Sequence, residues 1–129
     1  MKRAPLADRI PRPLKRRLGR TANPGIPAHI RAADASVSAA DRAYLRRKLG
    51  AKLGKFARAI ERVSVRIHDV NGPRGGVDHV CAIKVVMSGL PSVVVEQRHV
   101  LLQAAMDGAL QRTERAVKRS TQRRRARAR

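Results

Sequence analysis

The sequence predicts an α+β fold: a single domain in the order β-α-β-β-β-α, with a four-stranded sheet packed by two helices on one face. Three observations carry this reading. Apolar residues recur at helical spacing in two separate stretches, Leu45 to Ile60 and Leu102 to Val117. Between them the chain alternates apolar with polar, the period of a half-buried strand. A dense turn signal, Asn71-Gly72-Pro73-Arg74-Gly75-Gly76, splits that alternating stretch into a hairpin. The 129 residues make room for one domain of ordinary size around one core. A sheet with one apolar face needs both helices to cover it.

Taken in order, residues 1–25 scatter Pro and Gly among Arg and Lys, with few large apolar side chains. Such a segment cannot bury enough surface to offset its ordering entropy and reads as a basic arm, disordered until bound. Residues 26–122 form the domain. Ile26 to Ala32 (IPAHIRA) is its short first strand. Ser38 opens the first helix as an N-cap, with Asp41 three residues on in the capping-box position. Leu45, Leu49, Leu53, Phe56 and Ile60 follow at spacings of 4, 4, 3 and 4, one face of a helix. Gly50 and Gly54 share a side of it. They either admit a neighbouring helix closely or are simply tolerated, each costing ~1 kcal/mol relative to Ala.

Val63 to Val70 alternates as a strand, and Cys81, Ile83, Val85 and Met87 alternate again. Pairing Ile67 with Cys81, Val65 with Ile83 and Val63 with Val85 puts both apolar sets on one face and fixes the hairpin register. Ser88-Gly89-Leu90-Pro91 turns the chain into a strand from Ser92 to Glu96. From about His99 a second helix carries Leu102, Met106, Leu110, Thr113 and Val117. Residues 123–129 close the chain as a basic tail without apolar period.

Charge bounds the function. Lys plus Arg number 30 against 9 Asp plus Glu, a formal net charge of +21. By segment the net is +7 over residues 1–26, +5 over 27–61, +1 over 62–97 and +8 over 98–129. A surface so positive repels itself and belongs beside a dense polyanion, where phosphate neutralisation releases counterions. Tyr44 and Phe56 are the only aromatics, too few for the stacking platform of single-strand readers. Contacts to the backbone and shape of a nucleic acid must therefore dominate.

Cys81 is the only cysteine, so no intrachain disulfide framework exists and a reducing, cytoplasmic setting fits. No apolar run approaches the ~20 residues of a membrane span, so no membrane partner is expected. The first residues, MKRAPLADRIPRPLKRRLG, lack the apolar core of a secretory signal. They share the composition of a mitochondrial presequence, but three prolines in the first thirteen residues oppose its amphipathic helix.

Three stretches resemble the ribosome hibernation promoting factor family, which includes the ribosome-associated inhibitor proteins. DRAYLRRKLGAKLGKFARAIERVSVRI is similar to its first long helix running into its second strand. DVNGPRGGVDHVCAIKVVMSGLPSVVVE is similar to its hairpin, turn and fourth strand, and LLQAAMDGALQRTERAVKR to its closing helix. The resemblance covers about residues 28–122, and the hairpin stretch is its most specific part. It implies binding to the small ribosomal subunit between head and body, overlapping the paths of messenger and transfer RNA and silencing idle ribosomes. Such a protein would act in stress responses and be monomeric off the ribosome. The chain departs from the family by its added arm of about 25 residues. It also ends without the C-terminal domain through which long members pair ribosomes.

The residues themselves nominate the contact surface. On the first helix Tyr44, Lys48, Lys52, Lys55, Arg58 and Arg62 follow one another at spacings of 3 or 4. On the second, Arg112, Arg115, Arg119 and Gln122 do the same, with Lys118 adjacent. Helices packed side by side would let these stripes flank a shared positive groove for rRNA phosphates. The competing reading makes each stripe an ordinary solvated face. Arg74, between Pro73 and Gly75-Gly76, either offers a guanidinium fork to a phosphate or sits in a loop that only turns the chain.

No metal or cofactor is expected. His68, Asp69, His79 and Cys81 lie close across the hairpin, but neighbours on a strand point to opposite faces and paired-ligand spacings are missing. GPRGGVDHV faintly resembles the GGQ loop of release factors that hydrolyse peptidyl-tRNA. The residue after its paired glycines is Val77 instead of glutamine, so the group that orients water is absent. With no other catalytic grouping, neither an enzyme nor a small-molecule substrate is expected. The rival function is a general RNA-binding or RNA-chaperone protein without ribosome specificity.

Overall fold

The computed structural model describes residues 26–32, 37–71 and 75–128; Arg74 and the basic arm, residues 1–25, lie outside them. The elements are β1 (Ala28–Ala32), α1 (Ala39–Leu53), a 3-10 segment (Gly54–Ala59), β2 (Ile60–Asn71), β3 (Val77–Met87), β4 (Leu90–His99) and α2 (Leu102–Ala128). They make one α+β domain, β-α-β-β-β-α, with the sheet in the order β1-β2-β3-β4. The strand pair β1–β2 is parallel and the other two are antiparallel. A parallel pair needs a crossover, which α1 supplies.

The start of α1 follows the capping-box reading. The Asp41 N–H donates to Ser38 Oγ at 3.1 Å, and the Ser38 N–H donates to Asp41 Oδ2 at 3.0 Å. Such a cap is worth about 1 kcal/mol. The helix ends earlier than its apolar spacing suggests. After Leu53 the chain tightens into the 3-10 segment, and Ile60 opens β2. Phe56 and Ile60 hold the helical spacing because both still pack toward the same core.

The hairpin register is the one the alternation fixes: Ile67 opposite Cys81, Val65 opposite Ile83, Val63 opposite Val85. The fourth strand is longer at both ends than Ser92 to Glu96. Gly89 adopts φ of 71° in the β3–β4 turn, left-handed backbone that glycine takes without steric cost. The second helix begins at Leu102, after the Leu101 N–H donates to His99 Nδ1 at 3.0 Å. It continues through Ala128, so residues 123–128 of the basic tail are helical. Arg and Ala are strong helix formers that need no apolar stripe. Arg124 also ties this end down, donating to the Ser88 carbonyl at 2.9 Å.

Both helices lie on one face. Leu45, Leu49 and Leu53 of α1 and Met106, Leu110 and Val117 of α2 meet Val63, Val65, Ile67, Cys81, Ile83 and Val85 of the sheet in one core. Thr113, wholly buried within that stripe, donates its hydroxyl to the Ala109 carbonyl at 2.7 Å. Close approach is demanded at Gly108, where an added Cβ would come within 2.8 Å of Gln97 Cγ. Arginines of both helices reach the outer strands. Arg42 and Arg46 donate to the carbonyls of Ile30 (3.3 Å) and Ala28 (3.1 Å) on β1, and Arg112 donates to that of Glu96 (2.7 Å) on β4.

Candidate nucleic-acid interface

The spacing of cations on α1 gives a stripe, and the packing of α2 beside it decides what the stripe becomes. Tyr44, one turn above Lys48, donates its hydroxyl to Asp107 Oδ1 of α2 at 2.6 Å. That hydrogen bond, then burial, raises the phenol pKa above its ordinary value. Lys48 and Arg47 sit 5.7 and 5.5 Å from the Tyr44 ring centroid, within cation–π range. Lys52 and Lys55 both turn to Glu114 of α2, at 3.6 and 3.1 Å. The hydrogen bond from Lys55, helped by the charge of Lys52, holds the Glu114 carboxyl below its ordinary value.

The two stripes therefore meet at a junction that carries its own acid. Lys52, Lys55 and Glu114 together bring one net positive charge, where the sequence alone shows two lysines. Neither Asp107 nor Glu114 was legible as a partner, since each is 59 or more residues from the side chain it meets.

Arg115, Lys118 and Arg119 are exposed on α2, and among the described residues none of them is in an ion pair. Helical spacing puts Lys118 one turn beyond Glu114 on the side of α1. Arg58 is exposed at the end of the 3-10 segment and lines a cleft with Lys55, Thr121 and Arg125, where the far end of α2 passes. These residues form a cationic surface across both helices.

Two expected members lie elsewhere. Arg112 points away from the junction, fixed by the Glu96 carbonyl and by Gln97 Oε1 at 3.1 Å. Arg62 belongs to β2, because the chain has already left the helix, and it faces away from both helices. Arg74 lies outside the described residues.

The remaining polar groups have other occupations. His79 Nδ1 and Asp69 Oδ1 are 2.7 Å apart on paired strands, while His68 faces the opposite side of the sheet. Cys81 is wholly buried, and burial pushes its thiol up to about 12, so it stays protonated in the core. Among the described residues no three His, Cys, Asp or Glu converge on a point that could hold a metal, and no helix is long and apolar enough to cross a membrane.

Residues 28–125 match the family described as Sigma 54 modulation protein / S30EA ribosomal protein. The crystal structure of the Thermus thermophilus Protein Y N-terminal domain is 26% identical over 73% of this chain and 96% of that one, with a TM-score of 0.54. A ribosomal subunit interface protein from Coxiella burnetii has a TM-score of 0.57 over the same shares at 12% identity, a likeness of fold alone. No curated protein matches the sequence. With the family match running from the first strand into the far end of the second helix, the chain belongs to the Sigma 54 modulation protein / S30EA ribosomal protein family.

Proposed function

We propose that the protein binds the small ribosomal subunit through rRNA phosphates, blocks the messenger and transfer RNA channel, inhibits translation and stabilises idle ribosomes. Membership of the family and likeness to Protein Y support ribosome association. The observation that carries the phosphate reading is the exposed cationic surface of Arg58, Arg115, Lys118 and Arg119, with Lys48, Lys52 and Lys55 beside it. Both rings of the chain are half-buried against the core, which leaves no platform for stacking bases, so binding rests on charge and shape. Arg112, held at the Glu96 carbonyl, and Arg74 are proposed as further rRNA contacts. The protein acts as a binding module in the cytoplasm, monomeric off the ribosome, with no cofactor, catalytic step, small-molecule substrate or membrane partner.

Co-sedimentation with purified small subunits and a purified translation system test this. The expected result is saturation near one copy per subunit, with translation suppressed at the same ratio. Coating of arbitrary RNA without preference for ribosomes would overturn it in favour of a general RNA chaperone.

Glu114→Gln tests the electrostatics of the helix junction. Removing this acid releases Lys52 and Lys55, and several-fold tighter subunit binding is expected in titrations. The fold loses a partly exposed ion pair worth under ~1 kcal/mol. Because the folded carboxyl is depressed, its stabilisation is present above its ordinary unfolded pKa and is lost as pH falls through the native value. Melting curves of parent and variant should therefore differ slightly at neutral pH and converge in acid.

A further inference from the structure

We infer that the uncovered face of the sheet is a second phosphate-binding face, gripping RNA backbone on the side of the domain opposite the helices. This rests on the reading that the partner is RNA. Strand alternation separates the two faces. Val63, Val65 and Ile67 point to the helices, so Arg62, Ser64 and Arg66 point away from them. The partners in register continue the pattern: Arg31 of β1 lies opposite Arg66, and Lys84 of β3 lies opposite Ser64. Arg31, Arg62, Arg66 and Lys84 are all exposed. Among the described residues none of the four is in an ion pair.

That arrangement is electrostatically unfavourable in the free protein. Like charges directly opposite on neighbouring strands repel, and among the described residues neither Arg31 nor Arg66 is in an ion pair that would relieve it. The other charges of this face are arranged differently: Asp78 is satisfied by Arg98 Nε at 2.9 Å. The cations ring a shallow depression floored by the small residues Ser64 and Ala82 and rimmed by Arg31, Arg66, Lys84 and one acid, Glu96. A small floor under long basic side chains admits a backbone of phosphates, and the depression is lined by the His29 imidazole but by no Phe, Tyr or Trp. The net charge of only +1 over residues 62–97 conceals the patch, because two of the acids it counts, Asp69 and Asp78, already have partners of their own.

The test is the salt dependence of full-length protein binding to purified small ribosomal subunits, between about 50 and 200 mM salt. The R31Q/R66Q/K84Q variant is expected to bind at least about tenfold more weakly and to flatten the log–log salt slope by about three, one for each phosphate left without its cation. Unchanged affinity and slope in this variant, while R115Q/K118Q/R119Q still weakens binding, overturns the sheet face and leaves the helix surface standing. If neither variant changes binding, the phosphate contacts assigned to both faces fall; if the unaltered protein shows no preference for subunits, the ribosome reading itself falls. Loss of binding to phosphatidylserine vesicles with subunit binding intact would assign the face to membranes and overturn the RNA assignment. Circular dichroism checks folding. Should the triple variant fail to fold, Glu96→Gln removes the one acid of the rim and is expected to tighten subunit binding several-fold, and unchanged binding there overturns the inference.

Discussion

The triple charge reversal R115E/K118E/R119E is expected to weaken binding to the small ribosomal subunit by at least about a thousandfold while leaving the domain folded. The three side chains are exposed on α2 and in no ion pair among the described residues, so little internal stability is at stake. Each is free to make a charge-assisted hydrogen bond to phosphate, worth about 1.5–3 kcal/mol. Losing three such bonds removes roughly 5 kcal/mol or more even before the repulsion of three new carboxylates is added. Glu has nearly the helix propensity of Arg and Lys, so the circular dichroism spectrum should be unchanged. Lys48 and Lys52 are poorer choices for this test, since Tyr44 and Glu114 engage them. Sedimentation of the variant with subunits is the measurement, and parent-like binding would remove α2 from the interface.

Leu49→Ala is expected to have the largest effect on stability. Leu49 is 2% exposed at the centre of the α1 stripe. Truncating such a leucine costs about 2–5 kcal/mol, the transfer term plus the cavity left behind. Small domains have roughly 5–15 kcal/mol in total, and a chain of net charge +21 weakens its compact state further through self-repulsion. A fall in melting temperature of at least about 10 °C is expected in a thermal melt, partly recovered by added salt, which screens the repulsion. Ribosomes should also rescue the variant by mass action, because only the folded form binds. A shift below about 3 °C would mean that Leu49 contributes little to the core.

The register of the β2–β3 hairpin was legible because a slip of one residue would turn Val63, Val65 and Ile67 to solvent. The end of α1 was not, since Phe56 and Ile60 continue a spacing of 3 or 4 while the backbone changes state beneath them. The same crossing from helix to strand moved Arg62 from the stripe to the far face of the sheet. The length of α2 was hidden for the opposite reason: beyond Val117 helix propensity and the tie from Arg124 to Ser88 sustain it, with no apolar period to betray it. Of the candidate site, the exposure of Arg115, Lys118 and Arg119 followed from helical spacing. The engagement of Lys52, Lys55 and Arg112 did not, because their partners arrive from distant segments. The sheet cations were readable in principle: Arg62, Ser64 and Arg66 occupy the polar positions of an alternating strand.

The arginines that reach the outer strands have a further consequence. A sheet with free edges invites another chain to add a strand, the route to edge-to-edge aggregation. Here Arg42 and Arg46 occupy carbonyls along β1, and Arg112 occupies one on β4. Each guanidinium takes up an acceptor that an incoming strand would need, and each brings a charge that repels a second copy of the same basic chain. The helices thus guard the borders of the sheet as well as covering its core, which favours solubility when the protein accumulates without its partner.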